Sequence, residues 1–388
     1  MIIKRNLIKH LKQMLKKFPV ISLTGPRQSG KTTLLKEFFQ DYKYFNLERL
    51  DLREIILSDP LGFLKSLGEK IILDEVQNIP EIFSYIQVVS DERGTNGQYI
   101  LSGSQSFLLN EKISQSLAGR VSINHLFPFD ITELPKDFEK NYLQLIYTGL
   151  YPRIYQNSIN PVDFYPSYLQ TYIERDIRTL KAVENLNIFT RFLSLCAGRT
   201  GQILNFTSLA NDTGISVNTA KSWLSLLETS FIIYLLKPYH NNFNKRIIKA
   251  PKLYFYDTGI VCSLLRINDI KSLRNHYLYG ALFENFIISE ITKQIYHSGK
   301  HPNIYYYKES NGKEIDCIIE MSSNKIVAVE IKGGETFSKD YLKNLVKIFN
   351  SKKSNEIKKY LVYPEAEKSQ IFDIKILNWN QITEILWN

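Results

Sequence analysis

The segment GPRQSGKTT, from Gly25 to Thr33, has the composition and the spacing of a loop that binds phosphate groups. Gly25 and Gly30 allow backbone bends that turn N–H groups toward an anion. An apolar run before the loop and a helix-forming run after it supply the strand–loop–helix context in which such loops bind nucleotides. We therefore predict that ATP is held by Gly25, Pro26, Arg27, Gln28, Ser29, Gly30, Lys31, Thr32 and Thr33.

Two side chains of this loop, and a carboxylate pair further along, have more specific expected roles. Lys31 is expected to reach the β- and γ-phosphates, and the Thr32 hydroxyl is expected to hold Mg²⁺. In KIILDEVQ an apolar run ends in Asp74 and Glu75, as a buried parallel strand often does. We predict that Asp74 joins the Mg²⁺ shell and that Glu75 polarises the water that attacks the γ-phosphate.

A third short apolar run, in QYILSGSQS, ends in small polar residues. Either Ser102 or Ser104 is expected to contact the γ-phosphate, between the phosphate loop and the loop that follows this run. Ser104 is slightly preferred. Transfer of the γ-phosphoryl group also requires a cation that stabilises developing negative charge. Arg120, in SLAGRVS, is the candidate for this arginine finger, and Arg27 within the loop is the alternative.

The middle of the chain has a helix-turn-helix pattern, between Gln202 and Tyr239. Thr207 or Ser208 is expected to cap a short first helix, Gly214 to supply the turn, and Ser216 to cap a second helix. An apolar strand, a polar turn and a basic returning strand follow, which is the order of a winged helix. The buried face of the second helix is predicted to comprise Ala220, Trp223, Leu224 and Leu227.

This middle segment is the candidate DNA-binding element, because the positive charge of the chain is concentrated there. The net charge is +7 over residues 136–275, against +2 before this segment and +1 after it. Asn218 and Lys221 are expected to face a DNA groove from the second helix. The alternative is that the winged helix packs on a protein. The predicted contacts to DNA phosphates are Lys245, Arg246 and Lys249.

A third set of chemically competent residues lies in the last part of the chain. Glu284 falls on a predicted helix, ALFENFIISEI, and Asp316 falls in a predicted hairpin that turns at Asn311-Gly312. Glu330 and Lys332, in KIVAVEIKGG, are two residues apart on one strand and therefore point to the same face. We predict a divalent-metal site for phosphodiester hydrolysis. Its expected Mg²⁺ ligands are Asp316 and Glu330, supported by Glu284, and Lys332 would orient or help to deprotonate a water.

The motifs GPRQSGKTT, ILDEVQ, LSGSQS, LAGR and LFPFDITEL occur in an order that resembles a large group of prokaryotic AAA+-like ATPases. The later motifs YIERDIR and KLYFYDTGI are similar to that group too, so the resemblance covers nearly the whole chain. It implies a P-loop ATPase domain followed by a C-terminal region that the group shares. Within the later motifs, Tyr172, Asp176 and Asp257 are as readily structural as functional.

The set of Glu284, Asp316, Glu330 and Lys332 resembles the core of the PD-(D/E)xK nucleases. Ile315 stands where that core usually has a proline, at a position that varies. The resemblance implies a nuclease-like fold. It leaves two roles open, which are cleavage of nucleic acid and binding without cleavage.

Three kinds of element are needed to position these residues. The predicted fold class is α/β, with a P-loop ATPase domain on a parallel sheet over residues 1–135. A helical linker and winged helix-turn-helix are predicted over residues 136–275, and a small α/β nuclease-like domain over residues 276–388. A chain of 388 residues is long enough for two or three domains with separate cores.

Composition narrows the class of protein. Apolar residues make up 44% of the chain and charged residues 23%, which is ordinary for a globular protein. No apolar stretch approaches the ~18 residues of a membrane span. The amphipathic N-terminus does not have the pattern of a signal peptide, so we expect a cytoplasmic protein without a membrane partner. Three cysteines lack metal-ligand spacing and are expected to be reduced and buried: Cys196, Cys262 and Cys317.

These expectations combine into one main function and one alternative. The first is an ATPase that uses ATP and Mg²⁺ and whose nucleotide state controls its engagement of DNA, with a nuclease step at the C-terminal end left open. The alternative is a switch that binds ATP, turns it over slowly and acts through a protein partner. A homo-oligomer follows if Arg120 acts across a subunit boundary.

Overall fold

The computed structural model describes residues 3–104, 116–135, 141–172, 183, 185–239, 250–309, 312–322, 325–347 and 356–387. The chain divides into two compact units. Unit 1 comprises Met1–Glu133, Thr229–Phe231 and Tyr296–Lys300. Unit 2 comprises Leu134–Glu228, Ile232–Ile295 and His301–Asn388.

Unit 1 is built on a five-stranded sheet. Its strands are β1 (Val20–Thr24), β2 (Lys43–Asn46), β3 (Ile71–Asp74), β4 (Tyr99–Gly103) and β5 (Val121–His125). They lie in the order β2-β3-β4-β1-β5, and every neighbouring pair is parallel. The helices are α1 (Leu7–Met14), α2 (Lys31–Phe38), α3 (Leu50–Ser58), α4 (Pro60–Leu67) and α5 (Ile82–Arg93). The predicted α/β class with a parallel sheet in this part of the chain is confirmed.

The central strands of this sheet are buried on both faces. Every residue of β1, β3 and β4 is buried, as expected where both sides of a parallel sheet are covered. Alternate residues of a strand belong to different cores, for example Leu73 to one and Ile72 to the other. The carboxyl ends of β3 and β4 lie side by side, with Asp74 in register with Ser102. This register places polar groups of two separate motifs at one edge of the sheet.

The described residues between 141 and 297 are largely helical. Its helices are α6 (Tyr142–Thr148), α7 (Pro152–Asn157), α8 (Pro161–Tyr172), α9 (Leu186–Ala197), α10 (Phe206–Thr213), α11 (Val217–Thr229), α12 (Thr258–Leu264), α13 (Ile270–Arg274) and α14 (Tyr279–His297). Strands β6 (Ile233–Leu236) and β7 (Lys252–Phe255) form a two-stranded antiparallel sheet. The predicted buried face of α11 is confirmed, since its buried residues are Ala220, Trp223, Leu224 and Leu227.

A tight turn joins α10 to α11. Gly214 ends α10 in the left-handed conformation, at φ 81°, and the Ser216 hydroxyl accepts a backbone N–H of α11 at 3.0 Å. The predicted cap of α10 was wrong. Asn205 accepts the backbone N–H of Ser208 at 3.0 Å, whereas Thr207 and Ser208 lie inside the helix. Asn205 can do so because its backbone is extended, which lets its side chain fold over the first turn.

A six-stranded mixed sheet forms the C-terminal part of unit 2. Its strands are β8 (Ile304–Lys308), β9 (Glu314–Ser322), β10 (Lys325–Ile331), β11 (Glu356–Tyr363), β12 (Ser369–Ile371) and β13 (Ile374–Asn378), in the order β12-β13-β11-β10-β9-β8. Strand β10 pairs antiparallel with β9 and parallel with β11. Two short helices also belong to this region: α15 (Lys343–Lys347) lies between β10 and β11 in the chain, and α16 (Thr383–Trp387) follows β13. Gly312, in the predicted hairpin turn, has a φ of 87°, and Asn311 lies outside the described residues.

Two expectations from composition can be compared with the structure. The three cysteines are free and buried, as predicted, since burial of a small thiol adds to the core. Within the described ranges, none of the helices combines the length and the apolar character that a bilayer crossing requires.

Candidate functional site

The predicted phosphate loop connects β1 to α2, and its shape depends on glycine. Gly25 has a φ of 152°, and a Cβ atom at this position would lie 2.1 Å from the carbonyl oxygen of Leu126. Gly30 has a φ of 94° and immediately precedes α2. Both positions therefore exclude other residues, for steric reasons at Gly25 and for conformational reasons at Gly30. The result is a loop that ends at the N-terminus of a helix, where backbone N–H groups are unpaired.

Lys31 is folded back over this loop. Its ammonium group donates to the carbonyl oxygens of Gly25 and Pro26, each at 2.9 Å, and its side chain is buried. These two hydrogen bonds hold a positive charge directly above the loop. A phosphate group that binds there meets this charge without a large movement of the side chain.

Asp74 is the centre of a buried network at the carboxyl edge of the sheet. It accepts hydrogen bonds from the Thr32 hydroxyl at 2.7 Å and from the Tyr44 hydroxyl at 2.6 Å. Ser102 donates to its other carboxylate oxygen, Oδ1. The predicted pair of Thr32 and Asp74 is thus brought together, and the network fixes the orientation of the carboxylate.

Glu75 turns away from the strand that carries Asp74. Its φ of 56° is left-handed, which is a strained conformation for a residue with a side chain. The Gln77 amide donates to its carboxylate, and the Ser104 hydroxyl lies 3.4 Å from the same oxygen. The two candidate serines therefore have different partners, because Ser102 contacts Asp74 and Ser104 contacts Glu75.

Arg120 lies in a separate ion pair. Its guanidinium contacts the two carboxylate oxygens of Asp91 at 2.6 Å and 2.8 Å, and this hydrogen-bonded pairing lowers the pKa of the Asp91 carboxyl. Both side chains are partly exposed to solvent. Within the described part of the chain, Arg120 shares no hydrogen bond with the network of Asp74 and Glu75, so its role as an arginine finger stays a prediction. The alternative, Arg27, is half-buried within the loop itself.

Sequence reasoning missed two residues of this site. Tyr44 stands on β2, next to the strand that ends in Asp74, and burial together with the Asp74 carboxylate raises the pKa of its hydroxyl. It therefore remains a hydrogen-bond donor at neutral pH. Arg5 donates to the carbonyl oxygen of Ser29, within the phosphate loop, at 2.8 Å. Its position before α1 carries no motif that would have revealed this contact.

Arg5 belongs to a buried polar cluster within unit 1. It also donates to Glu133 at 3.0 Å, and both side chains of this ion pair are buried. His297 contacts Asp130 through Nδ1 at 2.7 Å, and its Nε2 accepts the backbone N–H of Phe127 at 3.3 Å. This pattern makes Nδ1 the protonated nitrogen that donates to Asp130. Arg5 and His297 thus add side-chain partners to two buried carboxylates that also accept backbone N–H groups, those of Asn6 for Glu133 and Thr132 for Asp130.

A second group of chemically competent residues lies in unit 2. We call it the carboxylate–lysine cluster, and its members are Lys252, Glu284, Glu314, Asp316, Glu330 and Lys332. The structure brings together the four residues that the sequence singled out for this end of the chain. Lys332 contacts Glu330 at 2.7 Å and lies 3.7 Å from Asp316. The backbone N–H of Ile331 donates to Asp316 at 2.8 Å.

Two members of this cluster were not predicted. Lys252, on β7, contacts Glu284 at 3.1 Å, forms an ion pair with Glu314 and lies 4.0 Å from Asp316. Glu314 is two residues before Asp316 on β9, so the period of the strand places both on one face. The spacing of two residues between Glu314 and Asp316 could therefore have identified Glu314 from the sequence. No local pattern connects Lys252 to residues that follow it by 32 positions or more.

The carboxylates of the cluster have perturbed proton affinities. Burial, reinforced by the Asp316 carboxylate, raises the pKa of Glu330 to about 8 and that of Glu284 to about 7. Burial alone would lower the pKa of Lys332, but the Asp316 and Glu330 carboxylates outweigh it and raise the pKa. The Oε2 atom of Glu330 is buried and has no hydrogen-bond partner among the described residues. Such an atom is satisfied by a proton or by a cation.

The remaining candidate residues fall into two groups. Asn218 and Lys221 are exposed on α11, and the Lys221 ammonium lies 5.6 Å from the centre of the Phe206 ring. Asp257 is buried and caps α12, and it accepts the Tyr165 hydroxyl at 2.7 Å, which favours a structural role. Four candidates lie outside the described residues, and they are Asp176, Lys245, Arg246 and Lys249.

Comparisons with known proteins match the chain in three segments. Residues 17–135 match a family described as "AAA domain". Residues 139–271 and residues 279–382 match two further families, described as "Domain of unknown function (DUF8612)" and "Domain of unknown function (DUF4143)". The first segment contains the phosphate loop, Asp74 and Glu75. This part of the chain is similar to AAA-type P-loop ATPase domains.

Relatives of this chain occur in bacteria and archaea. An uncharacterized protein of Mycobacterium tuberculosis is 28% identical over 323 residues, which cover 82% of this chain and 71% of that protein. An uncharacterized protein of Methanocaldococcus jannaschii is 25% identical over 386 residues, with 86% and 79% covered.

Two solved structures are also similar to the chain. A Walker-type ATPase of Pyrococcus abyssi is 13% identical, with a TM-score of 0.42, over 66% of this chain and 94% of that one. A STAND signal-transduction ATPase with a tetratricopeptide repeat sensor, from Pyrococcus horikoshii, is 11% identical, with a TM-score of 0.21. The match covers 74% of this chain and 47% of that one.

Proposed function

We propose, from the premise that residues 17–135 are a P-loop ATPase domain, that the protein hydrolyses ATP with Mg²⁺ and that its nucleotide state controls its engagement of DNA. A metal-dependent nuclease-like site in unit 2 is the second part of the proposal. The observation that carries the ATPase part is the network on Asp74. It joins the phosphate loop, through Thr32, to the carboxyl ends of two neighbouring strands.

The residues at this edge fit a magnesium ion. The Thr32 hydroxyl and the Asp74 carboxylate are oxygen donors 2.7 Å apart, and Mg²⁺ takes oxygen ligands together with phosphates and water. When bound, Mg²⁺ would neutralise charge on the phosphates of ATP. Lys31 would meet the β- and γ-phosphates from the other side of the loop.

Glu75 is the proposed general base of this site. Its left-handed backbone directs it away from Asp74, so the two carboxylates need not share one position. The Ser104 hydroxyl lies 3.4 Å from the Glu75 carboxylate, and in this proposal it contacts both that base and the γ-phosphate. Ser102 has a different role in this proposal, which is to orient Asp74.

The nuclease-like part of the proposal rests on Asp316, Glu330 and Lys332. The two carboxylates lie on neighbouring antiparallel strands, and the partially exposed ammonium of Lys332 is within 4 Å of both. The unpartnered Oε2 of Glu330 fits a divalent ion, which prefers carboxylate oxygens. A metal there would activate a water for attack on a phosphodiester, and Lys332 would orient that water.

DNA engagement is proposed for the middle segment because that segment carries most of the excess positive charge of the chain. Reversing the charge of Lys245, Arg246 and Lys249 together is the test. Binding should weaken, and its salt dependence should flatten by about one unit of slope for each lost phosphate contact. Unchanged binding with an unchanged slope would favour the alternative, in which this segment packs on a protein.

The alternative function is a slow ATP-dependent switch with an inactive nuclease fold. It is favoured by Lys252, whose ammonium already balances carboxylates of the cluster. Steady-state ATP turnover, measured with and without DNA, separates the two functions, with Glu75→Gln as the control for contaminating ATPase. Turnover that DNA stimulates supports the main proposal. Very slow turnover that DNA leaves unchanged supports the switch.

A further inference from the structure

Lys252 holds an unusual position for a positively charged side chain. It is almost completely buried, at 4% exposure, and it faces three carboxylates rather than solvent. An ammonium group is seldom buried to this degree unless it is paired. Its pairing here is with Glu284, Glu314 and Asp316, which is the arrangement that carboxylates adopt around a bound cation.

The hydrogen bonds of Glu284 occupy one of its two carboxylate oxygens on this side of the cluster. Its Oε1 atom receives both the Lys252 ammonium and the Tyr254 hydroxyl. A carboxylate oxygen has two lone-pair positions, so these two donors occupy both positions of that atom. A divalent ion bound to the same oxygen would also lie close to the ammonium charge, and the two positive charges would repel each other.

The opposite side of the cluster is different. There Glu330 is 98% buried and its Oε2 atom has no partner among the described residues. Lys332 approaches through the other oxygen of Glu330, at 2.7 Å, and remains partly exposed. Both sides of the cluster thus contain an ammonium group, but that of Lys252 is buried between three carboxylates, whereas that of Lys332 is partly exposed to solvent. Only the side of Glu330 has an available ligand atom.

We propose that Lys252 is a built-in cation that takes the place of a second metal ion, so that the cluster admits a single divalent ion on the side of Asp316 and Glu330. This inference rests on the proposed metal-dependent site. It assigns Glu284 to Lys252 rather than to a metal, in contrast to the role that the sequence suggested for Glu284. The protein would then use a one-metal site with an internal lysine as its permanent counter-charge.

The test counts Mn²⁺ ions bound to the nucleotide-free full-length chain, from the electron paramagnetic resonance signal of free Mn²⁺. Ions of this cluster are those that disappear in the matched Asp316→Asn variant. The wild-type protein is expected to bind one such ion. Lys252→Met, which removes the charge at similar side-chain volume, is expected to bind two.

Two further variants control for the substitution itself. Lys252→Arg keeps the charge and is expected to bind one ion. Lys252→Met combined with Glu284→Gln removes a positive and a negative charge together, and it is also expected to bind one. A Lys252→Met protein that is folded by circular dichroism and gains no ion over the wild type overturns the inference.

Folding of Lys252→Met is itself informative. If it is unfolded in metal-free buffer, millimolar Mn²⁺ should restore its circular dichroism spectrum, since a second ion would replace the lost charge. Failure of Mn²⁺ to do so overturns the inference. A wild-type protein that binds no Mn²⁺ at this cluster refutes the proposed metal-dependent site instead, and the inference is then judged by whether Lys252→Met gains an ion.

Discussion

Replacing Arg5 by alanine is expected to destabilise unit 1 severely. The Arg5 guanidinium donates to the Glu133 carboxylate at 3.0 Å and to the carbonyl oxygens of Ser29 and Phe127 at 2.8 Å and 2.6 Å. Both side chains of the ion pair are buried. Removal of one partner from a buried ion pair leaves an uncompensated charge and costs about 3–5 kcal/mol. For a cooperative unit of roughly 150 residues, about the size of unit 1, this lowers the melting temperature by roughly 6–20 °C.

The same substitution should weaken the binding of ATP. The carbonyl of Ser29 lies within the phosphate loop, and Arg5 is a hydrogen-bond donor that holds it in place. Loss of one hydrogen bond of this kind is worth about 1.4 kcal/mol, so the dissociation constant for ATP should rise about tenfold. A purely remote structural role of Arg5 would change the melting temperature without changing this constant at temperatures where the protein is folded.

Thermal unfolding by circular dichroism and titration calorimetry with ATP are the assays. Arg5→Lys keeps the charge but loses the planar set of donors, so it should fall between the wild type and alanine. The double variant Arg5→Met with Glu133→Gln should recover part of the stability, because it leaves no unpaired charge. Arg49→Ala, which breaks an exposed ion pair with Asp51, is the matched control and should melt like the wild type. If Arg5→Ala lowers the free energy of unfolding by less than about 1 kcal/mol, the reasoning is refuted.

Lys31→Ala is expected to abolish ATP binding, and Glu75→Gln to keep binding but stop hydrolysis; a wild-type rate in Glu75→Gln would reject the base assignment. Without divalent metal, the contribution of Glu330 to the free energy of unfolding should fall as pH rises from about 4.5 to about 8, because the pKa of this carboxyl is raised from 4.5 to about 8 in the folded state. The free energy of unfolding, measured with urea across this pH range, should depend less on pH in Glu330→Gln than in the wild type. An identical pH dependence in the two proteins would contradict this. Asp316→Ala should remove DNA cleavage in Mg²⁺ or Mn²⁺ and leave ATP hydrolysis intact; loss of both would argue against separate sites.

The parts of the site that depend on local spacing were predictable from the sequence. The phosphate loop and the carboxylates after the next buried strand each occupy a few consecutive residues, and a parallel sheet brings the ends of its strands together. The proximity of Asp74 to Thr32 follows from that arrangement. In the same way, the period of two along a strand placed Glu330 and Lys332 on one face.

The parts that depend on distant pairings were not predictable. Arg5 and Glu133 are 128 positions apart, and no spacing rule relates them. Lys252 belongs to the basic middle segment, and its pairing with carboxylates arises only from tertiary packing. The wrong cap of α10 has a local cause, since Asn205, Thr207 and Ser208 all have side chains that can cap a helix. Only the backbone conformation decides among them.

Unit 1 combines segments that are far apart in the chain, so its residues are synthesised at different times. His297, which donates to Asp130, is encoded 167 positions after it, and residues 296–300 belong to unit 1. At a synthesis rate of ~5–20 residues per second, this partner appears roughly 10–30 s after Asp130. During that interval Asp130 lacks this one of its hydrogen-bond partners, so a nascent chain cannot complete unit 1 before the middle segment is made. For the same reason, a recombinant fragment that ends at residue 135 would contain every ATPase motif and yet lack His297.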